Sequence, residues 1–483
     1  TTTVVGGNFT PASFVHNGGT ITFDTTAGSS IGGYTFNIVN VSANKTMTGD
    51  WTCAGLLTIN AGATLTTGTN ALTANAGITV NGTLTATAQL AADPTTITGN
   101  LAGTGSATFG AGALTVTGNC SLATATGGSG TIDIDGAVTS TTSFTASNTT
   151  TVVGGNFTPA SFVHNGGTIT FDGAASVIDR PAGGYSFYNL TMALSSAASL
   201  LQASEEITVT NQFTMTSGDF RAGTFTHLIA GNWNSSGEDV TWNETSAGSS
   251  TIRMTDGAPN ITAKATDRFY NLILNSGGTI DATDTTVTVL GAFTAAANGA
   301  GGDLTLTGSD TLSVAGAFDL SPGTTGADLT ANSSTVVLAG SGDQTARTNN
   351  QSFNNLTIGA RLNGMVTFTD ALITTNASEG QGLVVEEGAG AYNIAINDGG
   401  SAANTVTFNN TGTLTINTSD AETFSLPLGA VKTSGEMILS GTIELSGTAS
   451  FDFGTAGQVS IPVNCWIGGS TGTITLRDAV IAD

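Results

Sequence analysis

The chain has 483 residues, too many for one ordinary hydrophobic core, so it forms either several domains or one repetitive body whose core grows with length. Apolar residues make up 39% of the chain and are regularly spaced, which excludes a disordered protein. The chain has only 10 Lys and Arg but 34 Asp and Glu. The resulting net charge of −24 excludes nucleic acid and anionic membrane surfaces as partners.

No apolar run approaches the roughly 20 residues that a membrane helix needs, and no basic and then apolar leader opens the sequence. We therefore expect a soluble, processed chain with no membrane insertion. The three cysteines, Cys53, Cys120 and Cys465, are too few for a disulfide framework and lack metal-ligand spacing. We expect them to be small buried side chains, with Cys465 the candidate for pairing between chains because the number is odd.

The first 24 residues, TTTVVGGNFTPASFVHNGGTITFD, return without a change at residues 149–172. A shorter motif, Gly followed by Asn, Asp or Ala and then by a large or apolar residue, recurs along the chain, with steps of 19, 18 and 19 residues between the copies from Gly99 to Gly155 and of 25 residues between those at Gly291 and Gly316. Periods of this length are typical of solenoids. Eight turns of about 18.5 residues span the offset between the two copies, so both are predicted to lie on the same face of one solenoid.

A longer repeat overlies the short one in the middle of the chain. The segments SFYNL, RFYNL and SFNNL begin at Ser186, Arg268 and Ser352, at spacings of 82 and 84 residues, and a strand-like run precedes each segment. Four turns of about 21 residues fit each of these units. The periods predict three regions, which are short turns over 1–148, longer turns over 149–360 and C-terminal turns over 361–483.

Short runs of alternating apolar and polar residues predict β-strands throughout the chain. Ile78 and Val80 flank Thr79, for example, and many other runs have the same pattern. Pairs of the Asn-Gly, Gly-Gly and Ser-Gly types interrupt the runs and supply the positive φ angles that tight turns need. The predicted fold is therefore an all-β, right-handed parallel β-solenoid (β-helix) of roughly 20–25 turns, with about three short strands in each turn.

Two features of the interior follow from this fold. Large side chains at equivalent positions are expected to stack inside, each ring contributing about 2 kcal/mol or more, and asparagines at equivalent corners are expected to form hydrogen-bonded ladders. The predicted core residues are Phe9, Ile21, Phe23, Phe157, Ile169, Phe171, Phe187, Phe269 and Phe353. The predicted ladder residues are Asn8, Asn100, Asn119, Asn156 and Asn232.

The runs SFYNLTM, RFYNLIL and SFNNLTI alternate with GTITFDG and GNFT pieces. In these runs the chain resembles the β-solenoid repeats of large bacterial cell-surface and secreted proteins, including filamentous-haemagglutinin-like adhesins and autotransporter passengers. The similarity covers nearly the whole chain, but it belongs to an architecture and transfers no functional residue. It implies an extracellular or cell-surface location and a structural or adhesive role, with cell-surface polysaccharide as a partner.

The sequence shows no catalytic constellation and predicts no enzyme, cofactor or metal. Its basic residues are scattered singly, and His16 and His164 hold the same position of the duplicated passage, which indicates a scaffold role. Glu205 and Glu206 are adjacent, so on a strand they point to opposite faces. A Gly- and Asp-rich run at 127–135 faintly resembles a calcium-binding nonapeptide but does not recur in tandem. A polysaccharide-active enzyme is therefore a less favoured alternative.

Runs of the Thr-x-Thr type at 64–66 and 83–85 raise a further alternative, because ice-binding solenoids array Thr pairs on one flat face. That arrangement needs equal turns, whereas the steps here drift from 18 to 25 residues. The sequence favours the plainer interpretation that Thr fills exposed strand positions, to which its branched side chain is suited.

The leading hypothesis for function is a secreted structural protein that forms a head-to-tail homopolymer, either an extracellular filament or a surface layer. Exposed strand edges at the ends of a solenoid invite another chain, and the resulting contact propagates because it does not close. The alternative is the stalk of a cell-surface adhesin. The predicted assembly interface consists of Thr3, Val5, Phe9, Phe14, Ile21, Phe23, Ile461, Trp466 and Ile474.

Overall fold

The computed structural model describes most of the chain. The described residues are 1–24, 29–86, 93–180, 183–237, 239–240, 249–255, 258–264, 267–282, 286–296, 303–321, 326–418, 422–453, 457–462, 464–476 and 479–481. Within these ranges the regular elements are short β-strands, and there is no helix. The described residues accordingly contain no helix that is long and apolar enough to span a membrane.

The strands are numbered in chain order. The first thirty are β1 Thr2–Val5, β2 Thr20–Phe23, β3 Ser29–Ile31, β4 Thr35–Phe36, β5 Ile38–Val41, β6 Lys45–Met47, β7 Trp51–Cys53, β8 Leu57–Ile59, β9 Thr64–Thr66, β10 Leu72–Ala74, β11 Ile78–Val80, β12 Thr83–Ala86, β13 Thr95–Ile97, β14 Leu101–Ala102, β15 Ser106–Phe109, β16 Leu114–Val116, β17 Cys120–Thr126, β18 Ile132–Ile134, β19 Val138–Thr145, β20 Thr150–Val153, β21 Phe157–Pro159, β22 Phe162–Val163, β23 Thr168–Phe171, β24 Ala175–Ile178, β25 Tyr185–Ala193, β26 Leu200–Ala203, β27 Ile207–Arg221, β28 Thr226–Ile229, β29 Asn232–Asn234 and β30 Asp239–Val240.

The second thirty are β31 Thr251–Met254, β32 Asn260–Thr262, β33 Arg268–Phe269, β34 Asn271–Leu274, β35 Gly278–Asp281, β36 Thr286–Val289, β37 Phe293–Ala295, β38 Leu304–Leu306, β39 Thr311–Val314, β40 Phe318–Asp319, β41 Leu329–Thr330, β42 Thr335–Leu338, β43 Gln344–Arg347, β44 Ser352–Phe353, β45 Asn355–Ile358, β46 Met365–Phe368, β47 Leu372–Thr374, β48 Leu383–Val385, β49 Asn393–Ile396, β50 Gly400–Ala402, β51 Val406–Phe408, β52 Leu414–Asn417, β53 Thr423–Leu426, β54 Ala430–Lys432, β55 Met437–Leu445, β56 Phe451–Asp452, β57 Val459–Ile461, β58 Cys465–Gly468, β59 Ile474–Thr475 and β60 Ala479–Ile481.

The chain divides into two compact units, Thr1–Leu228 with Gly237–Thr241 and Ile229–Ser236 with Trp242–Asp483. In each unit a strand pairs in parallel with the equivalent strands one turn earlier and one turn later. A ladder of ten strands in the first unit runs through β4, β7, β10, β13, β16, β18, β20, β23, β25 and β27. A ladder of ten strands in the second unit runs through β33, β36, β39, β42, β45, β48, β51, β54, β56 and β59.

The two units together have about 20 turns, which confirms the predicted parallel β-solenoid. Its core is a stack of apolar side chains contributed by successive turns. Ile78, for example, is in register with Leu57 on one side and Leu101 on the other, and all three are buried. Thr79 lies between the buried Ile78 and Val80 and points outward, as the alternation predicts.

The large side chains predicted to stack inside are buried, except for Phe9. Phe9 is half-buried because the turn to which it belongs is covered on one side only. Phe9 nevertheless points inward as predicted, since its ring lies 5.9 Å from that of the buried Phe23, but it is less covered than its counterpart in the second copy, Phe157, which is fully buried. The buried predicted residues are Ile21, Phe23, Phe157, Ile169, Phe171, Phe187, Phe269 and Phe353.

The corner asparagines connect one turn to the next, but their partners are backbone amides and not other asparagine side chains. The side-chain oxygen of Asn100 accepts from the Asn119 N–H at 2.9 Å, and that of Asn119 accepts from the Ala137 N–H at 2.8 Å. At a corner the amide of the next turn lies outside the strand ladder, so the asparagine satisfies a donor that would otherwise lack a partner. Asn8, Asn156 and Asn232 bond in the same way to Ser30, Val177 and Asn260.

Candidate assembly edge and threonine columns

The duplicated passage occurs once at the edge of the first unit and once in its interior. Strand β20 of the interior copy pairs with β18 on one side and β23 on the other, whereas β1 pairs with β2. Thr151 and Val153 are consequently fully buried. Their counterparts in the first copy are exposed at Thr3 and half-buried at Val5. The same sequence therefore lies between two turns in the interior copy, whereas β1 has β2 as its partner among the described residues.

The backbone bonds show which groups of β1 face away from β2. The Thr20 N–H donates to the Thr1 carbonyl oxygen at 2.9 Å, and the Asp24 N–H donates to the Val5 carbonyl oxygen at 3.3 Å. Backbone groups alternate in direction along a strand. The N–H of Val4, an even-numbered position, therefore faces away from β2, and the Val4 side chain is 60% exposed.

The aromatic rings of the two copies also differ in the rings that pack against them. Phe9 lies 5.1 Å from Phe14 between ring centroids, and the equivalent pair Phe157 and Phe162 lies at 5.0 Å. In the interior copy, Phe144 of the preceding turn covers this pair, at 6.0 Å from Phe157 and 6.4 Å from Phe162. Among the described residues, no ring packs on the first copy in the position that Phe144 takes in the interior copy.

The remaining predicted interface residues fall into two groups. Ile21 and Phe23 are buried in β2, directly beneath β1. Near the other end of the chain, Ile461 is half-buried, whereas Trp466 is 52% exposed and Ile474 is 40% exposed. Two further exposed apolar residues in the same stretch, Leu476 and Val480, were not predicted as part of the interface. Strand alternation could have identified Leu476, which has the same parity as Ile474.

A second surface feature of the first unit is a pair of outward-facing hydroxyl columns, here called the threonine columns. They are carried by five consecutive turns, on β9, β12, β15, β17 and β19. On each turn the residue between the two hydroxyls is buried, so both hydroxyls point outward. One column contains Thr64, Thr83, Ser106, Thr124 and Ser143, and the other contains Thr66, Thr85, Thr108, Thr126 and Thr145.

The threonine columns stay in register although the turns differ in length. The step from Thr64 to Thr83 is 19 residues and the step from Thr83 to Ser106 is 23, yet all three positions pair directly. The sequence-based objection that unequal turns would break a regular array was therefore wrong for this face, because only the strand positions have to align. No charged residue interrupts the columns, and the hydroxyls of the second column have no side-chain hydrogen bond among the described residues.

Two buried cationic side chains of the solenoid donate hydrogen bonds to backbone carbonyl oxygens. Lys432 is fully buried, its Nζ donates to the carbonyl oxygens of Asn410 and Ser434, and burial lowers its pKa to about 8. Arg361 is also buried; it donates to the Leu338 carbonyl oxygen at 2.7 Å and lies over the Tyr392 ring at 5.6 Å. Both side chains therefore bond to backbone groups of the solenoid, which indicates a structural role.

The described residues contain no group of three or more His, Cys, Asp and Glu side chains placed to hold a metal ion. A groove of about 630 Å³ in the second unit, beside β48 and β51, has Glu379 as its acidic lining residue. Cys53 and Cys120 are buried core side chains, as predicted, and their burial raises the pKa of both thiols to about 12. Cys465 is half-buried.

Parallel ladders, short strands and a stacked apolar interior place the chain in the class of parallel β-solenoid repeat proteins. No family model, curated protein or solved structure matches the chain, so comparison with known proteins does not define its class more closely.

Proposed function

We propose that the chain is a secreted structural protein whose copies add head to tail into an extracellular filament or surface layer. The bacterial cell-surface and secreted solenoids that its repeats resemble support this location. The observation that carries the proposal is the duplicated passage. In its interior copy the edge of β20 pairs with β18, and the first copy presents the same edge sequence in β1, which pairs with β2 among the described residues. A contact that places a second chain on this edge is heterologous, so it repeats from one copy to the next.

The interior copy indicates what the second chain would supply. In β18, Ile132 is in register with Thr151 and Ile134 with Val153, and the Gly154 N–H donates to the Ile134 carbonyl oxygen at 2.8 Å. An incoming chain would therefore bring a short apolar strand to β1 and an apolar side chain to the aromatic rings of the first copy. The exposed apolar residues of β58 and β59, which include Trp466 and Ile474, have the required character.

We expect Val4→Pro to weaken assembly strongly while leaving the subunit folded. Proline removes an N–H that faces away from β2, so the β1–β2 ladder keeps its bonds, and proline is tolerated on such an edge. Its ring blocks the approach of another strand and removes a donor, which should weaken association by about tenfold or more. Sedimentation velocity over a range of protein concentrations measures the effect, and electron microscopy shows whether fibres form.

Val4→Thr is the matched control, because it keeps the N–H and the branched side chain and should assemble normally. Circular dichroism should be the same for both variants and the original protein. Assembly that is equally strong with proline at this position would contradict the proposed edge. A protein that stays monomeric at every concentration would favour the alternative role as the stalk of an adhesin that binds cell-surface polysaccharide.

The threonine columns favour a second candidate function, the binding of ice. Neighbouring turns are about 4.8 Å apart, and alternate residues along a strand are about 6.7 Å apart, so the columns form a two-dimensional lattice of hydroxyl and methyl groups. Such a lattice can order water in a repeating pattern. The absence of charge from the columns is consistent with a neutral crystalline partner.

We expect the double substitution Thr85→Lys with Thr126→Lys to abolish any shaping of ice crystals by the protein. Both side chains point outward, so the fold should tolerate lysine, but the long charged chains would hold the lattice away from the crystal. Ice-crystal shape and thermal hysteresis are the measurements. The control is Thr96→Lys with Thr115→Lys in the ladder of β13 and β16, which should have no effect. A protein that leaves ice growth unchanged excludes this candidate.

A further inference from the structure

The duplicated passage contains a two-residue turn with an Asn-Gly centre. Asn17 and Gly18 have φ angles of 45° and 72°, and the Gly19 N–H donates to the His16 carbonyl oxygen at 2.9 Å, as in a type I′ turn. The turn at 164–167 repeats these features, with φ angles of 52° and 76° and a bond of 3.0 Å. Both asparagines are exposed.

In both turns a histidine accepts the proton of the glycine amide. The Gly18 N–H donates to Nδ1 of His16 at 3.0 Å, and the Gly166 N–H donates to Nδ1 of His164 at 2.9 Å. The accepting Nδ1 carries no proton in this arrangement. The donor is the nitrogen that follows an asparagine, and this nitrogen can attack the asparagine side-chain carbon when its proton is removed. Each histidine is thus hydrogen-bonded to the proton that such an attack must release.

We propose that Asn17 and Asn165 are sites of self-catalysed deamidation, with His16 and His164 as the general bases. The glycine nitrogen forms a bond to Cγ of the asparagine, and its proton passes to Nδ1 of the histidine. The bond from Cγ to the side-chain nitrogen then breaks, and this nitrogen leaves as ammonia after taking the proton back. Water opens the resulting five-membered succinimide to aspartate or isoaspartate, which adds a carboxylate at each turn.

A third Asn-Gly pair in the first unit is an internal control. The Gly82 N–H donates to the Ile59 carbonyl oxygen at 3.1 Å and has no histidine partner. The side-chain oxygen of Asn81 accepts from the N–H and the hydroxyl of Thr104, both at 3.4 Å. A Cβ atom at Gly82 would lie 2.2 Å from the Ala63 carbonyl oxygen, so this pair is packed closely against the preceding turn. The rotation that closes a succinimide ring is therefore hindered at Asn81.

The two proposed sites also differ from each other, although their sequences are identical. Nδ2 of Asn165 donates to the Ala146 carbonyl oxygen of the preceding turn at 3.3 Å, and the His164 ring stacks on Tyr188 at 5.9 Å. These contacts hold the Asn165 and His164 side chains in place, whereas the first turn is held through its backbone, by a bond from Asn37 Nδ2 to the Gly18 carbonyl oxygen at 2.8 Å. No side-chain hydrogen bond of Asn17 occurs among the described residues. We therefore expect deamidation to be fastest at Asn17, slower at Asn165 and slowest at Asn81.

The test is an incubation of the folded protein at neutral pH and 37 °C for a period on the order of weeks. General-base catalysis that speeds deamidation by about tenfold or more is readily detected over this time. Cleavage at Asp residues then places the three unreacted asparagines in the separate peptides 1–24, 136–172 and 51–93 for mass spectrometry, and a site that has become aspartate is identified by the additional cleavage there. His16→Ala should slow the reaction at Asn17 by about tenfold or more and leave Asn165 unchanged, and His164→Ala should do the reverse.

A parallel incubation in denaturant separates structure from sequence, because the two copies must react at equal rates once unfolded. Equal rates at Asn17 and Asn81 in the folded protein would overturn the proposal. So would histidine substitutions that leave the folded rates unchanged, or that slow the denatured protein by the same factor. The inference does not depend on head-to-tail assembly, since the reaction is measured on the soluble chain.

Discussion

Phe157→Ala is expected to lower the free energy of unfolding of the first unit by about 3 to 5 kcal/mol, and Phe9→Ala by clearly less. The two phenylalanines hold the same position of an identical passage, so their local sequences do not distinguish them. Phe157 is fully buried and has the Phe144 ring of the preceding turn at 6.0 Å. Phe9 is half-buried, and removing its ring creates a smaller cavity because one side is already open.

Chemical denaturation at a protein concentration too low for association measures both free energies. The variants are matched controls for each other, since the residue and its neighbours in sequence are the same. Equal losses would mean that the turn formed by β18 and β19 contributes nothing to the stability of the interior copy. If head-to-tail assembly occurs, the loss for Phe9→Ala should grow with protein concentration, because the second chain would then cover that ring.

Protonation of His227 is also expected to cost the first unit about 3 kcal/mol of stability as the pH falls from 6.5 to 4, against the raised pKa values of Asp133, Asp172 and Asp219, which act in the opposite direction. This side chain is buried, its Nδ1 accepts from the Ile207 N–H at 3.1 Å, and its Nε2 donates to the Ala222 carbonyl oxygen at 2.8 Å. Burial lowers the pKa of His227 from 6.5 to about 4, against the weaker opposing effect of the Ala222 bond. Protonation would also turn the acceptor at Nδ1 into a donor that faces the Ile207 N–H.

Acid lowers the stability through His227 because the unfolded chain binds the proton more tightly than the folded chain does. Between pH 4 and 6.5 the unfolded chain binds a proton at His227 and the folded chain does not, so acid favours unfolding. Each tenfold difference in proton affinity corresponds to about 1.4 kcal/mol, which gives the expected loss of about 3 kcal/mol. In the second unit, burial raises the pKa of Asp267 to about 6, so protonation of that carboxyl stabilises the fold over the same range.

His227→Gln isolates the effect in the first unit, because glutamine keeps one donor and one acceptor but does not titrate. The variant should be less stable than the original protein near pH 7 and should lose less stability between pH 6.5 and 4. Denaturation curves at several pH values measure both quantities. An acid response that is identical in the variant would show that His227 does not contribute to it.

The sequence by itself determined the architecture. Alternating apolar residues such as Ile78 and Val80 require a strand with one buried face, and glycine- and asparagine-containing corners turn the chain between successive strands. Because every turn repeats the same pattern, parallel stacking is the arrangement that buries all the apolar faces together. The same alternation places His227 and Ile229 on one face, and it could have identified the histidine as buried.

The burial, hydrogen-bond partners and alignment of residues that contact a neighbouring turn were decided only by the tertiary structure. Phe9 and Phe157 have identical sequence surroundings, yet one is half-buried and the other fully buried, because burial is set by the chain packed above. Asn100 and Asn119 were recognised as corner residues, but their partners on the next turn depend on the register between turns. The threonine columns align across turns of unequal length for the same reason. Register and coverage are relations between distant segments, and repeat spacing alone does not specify them.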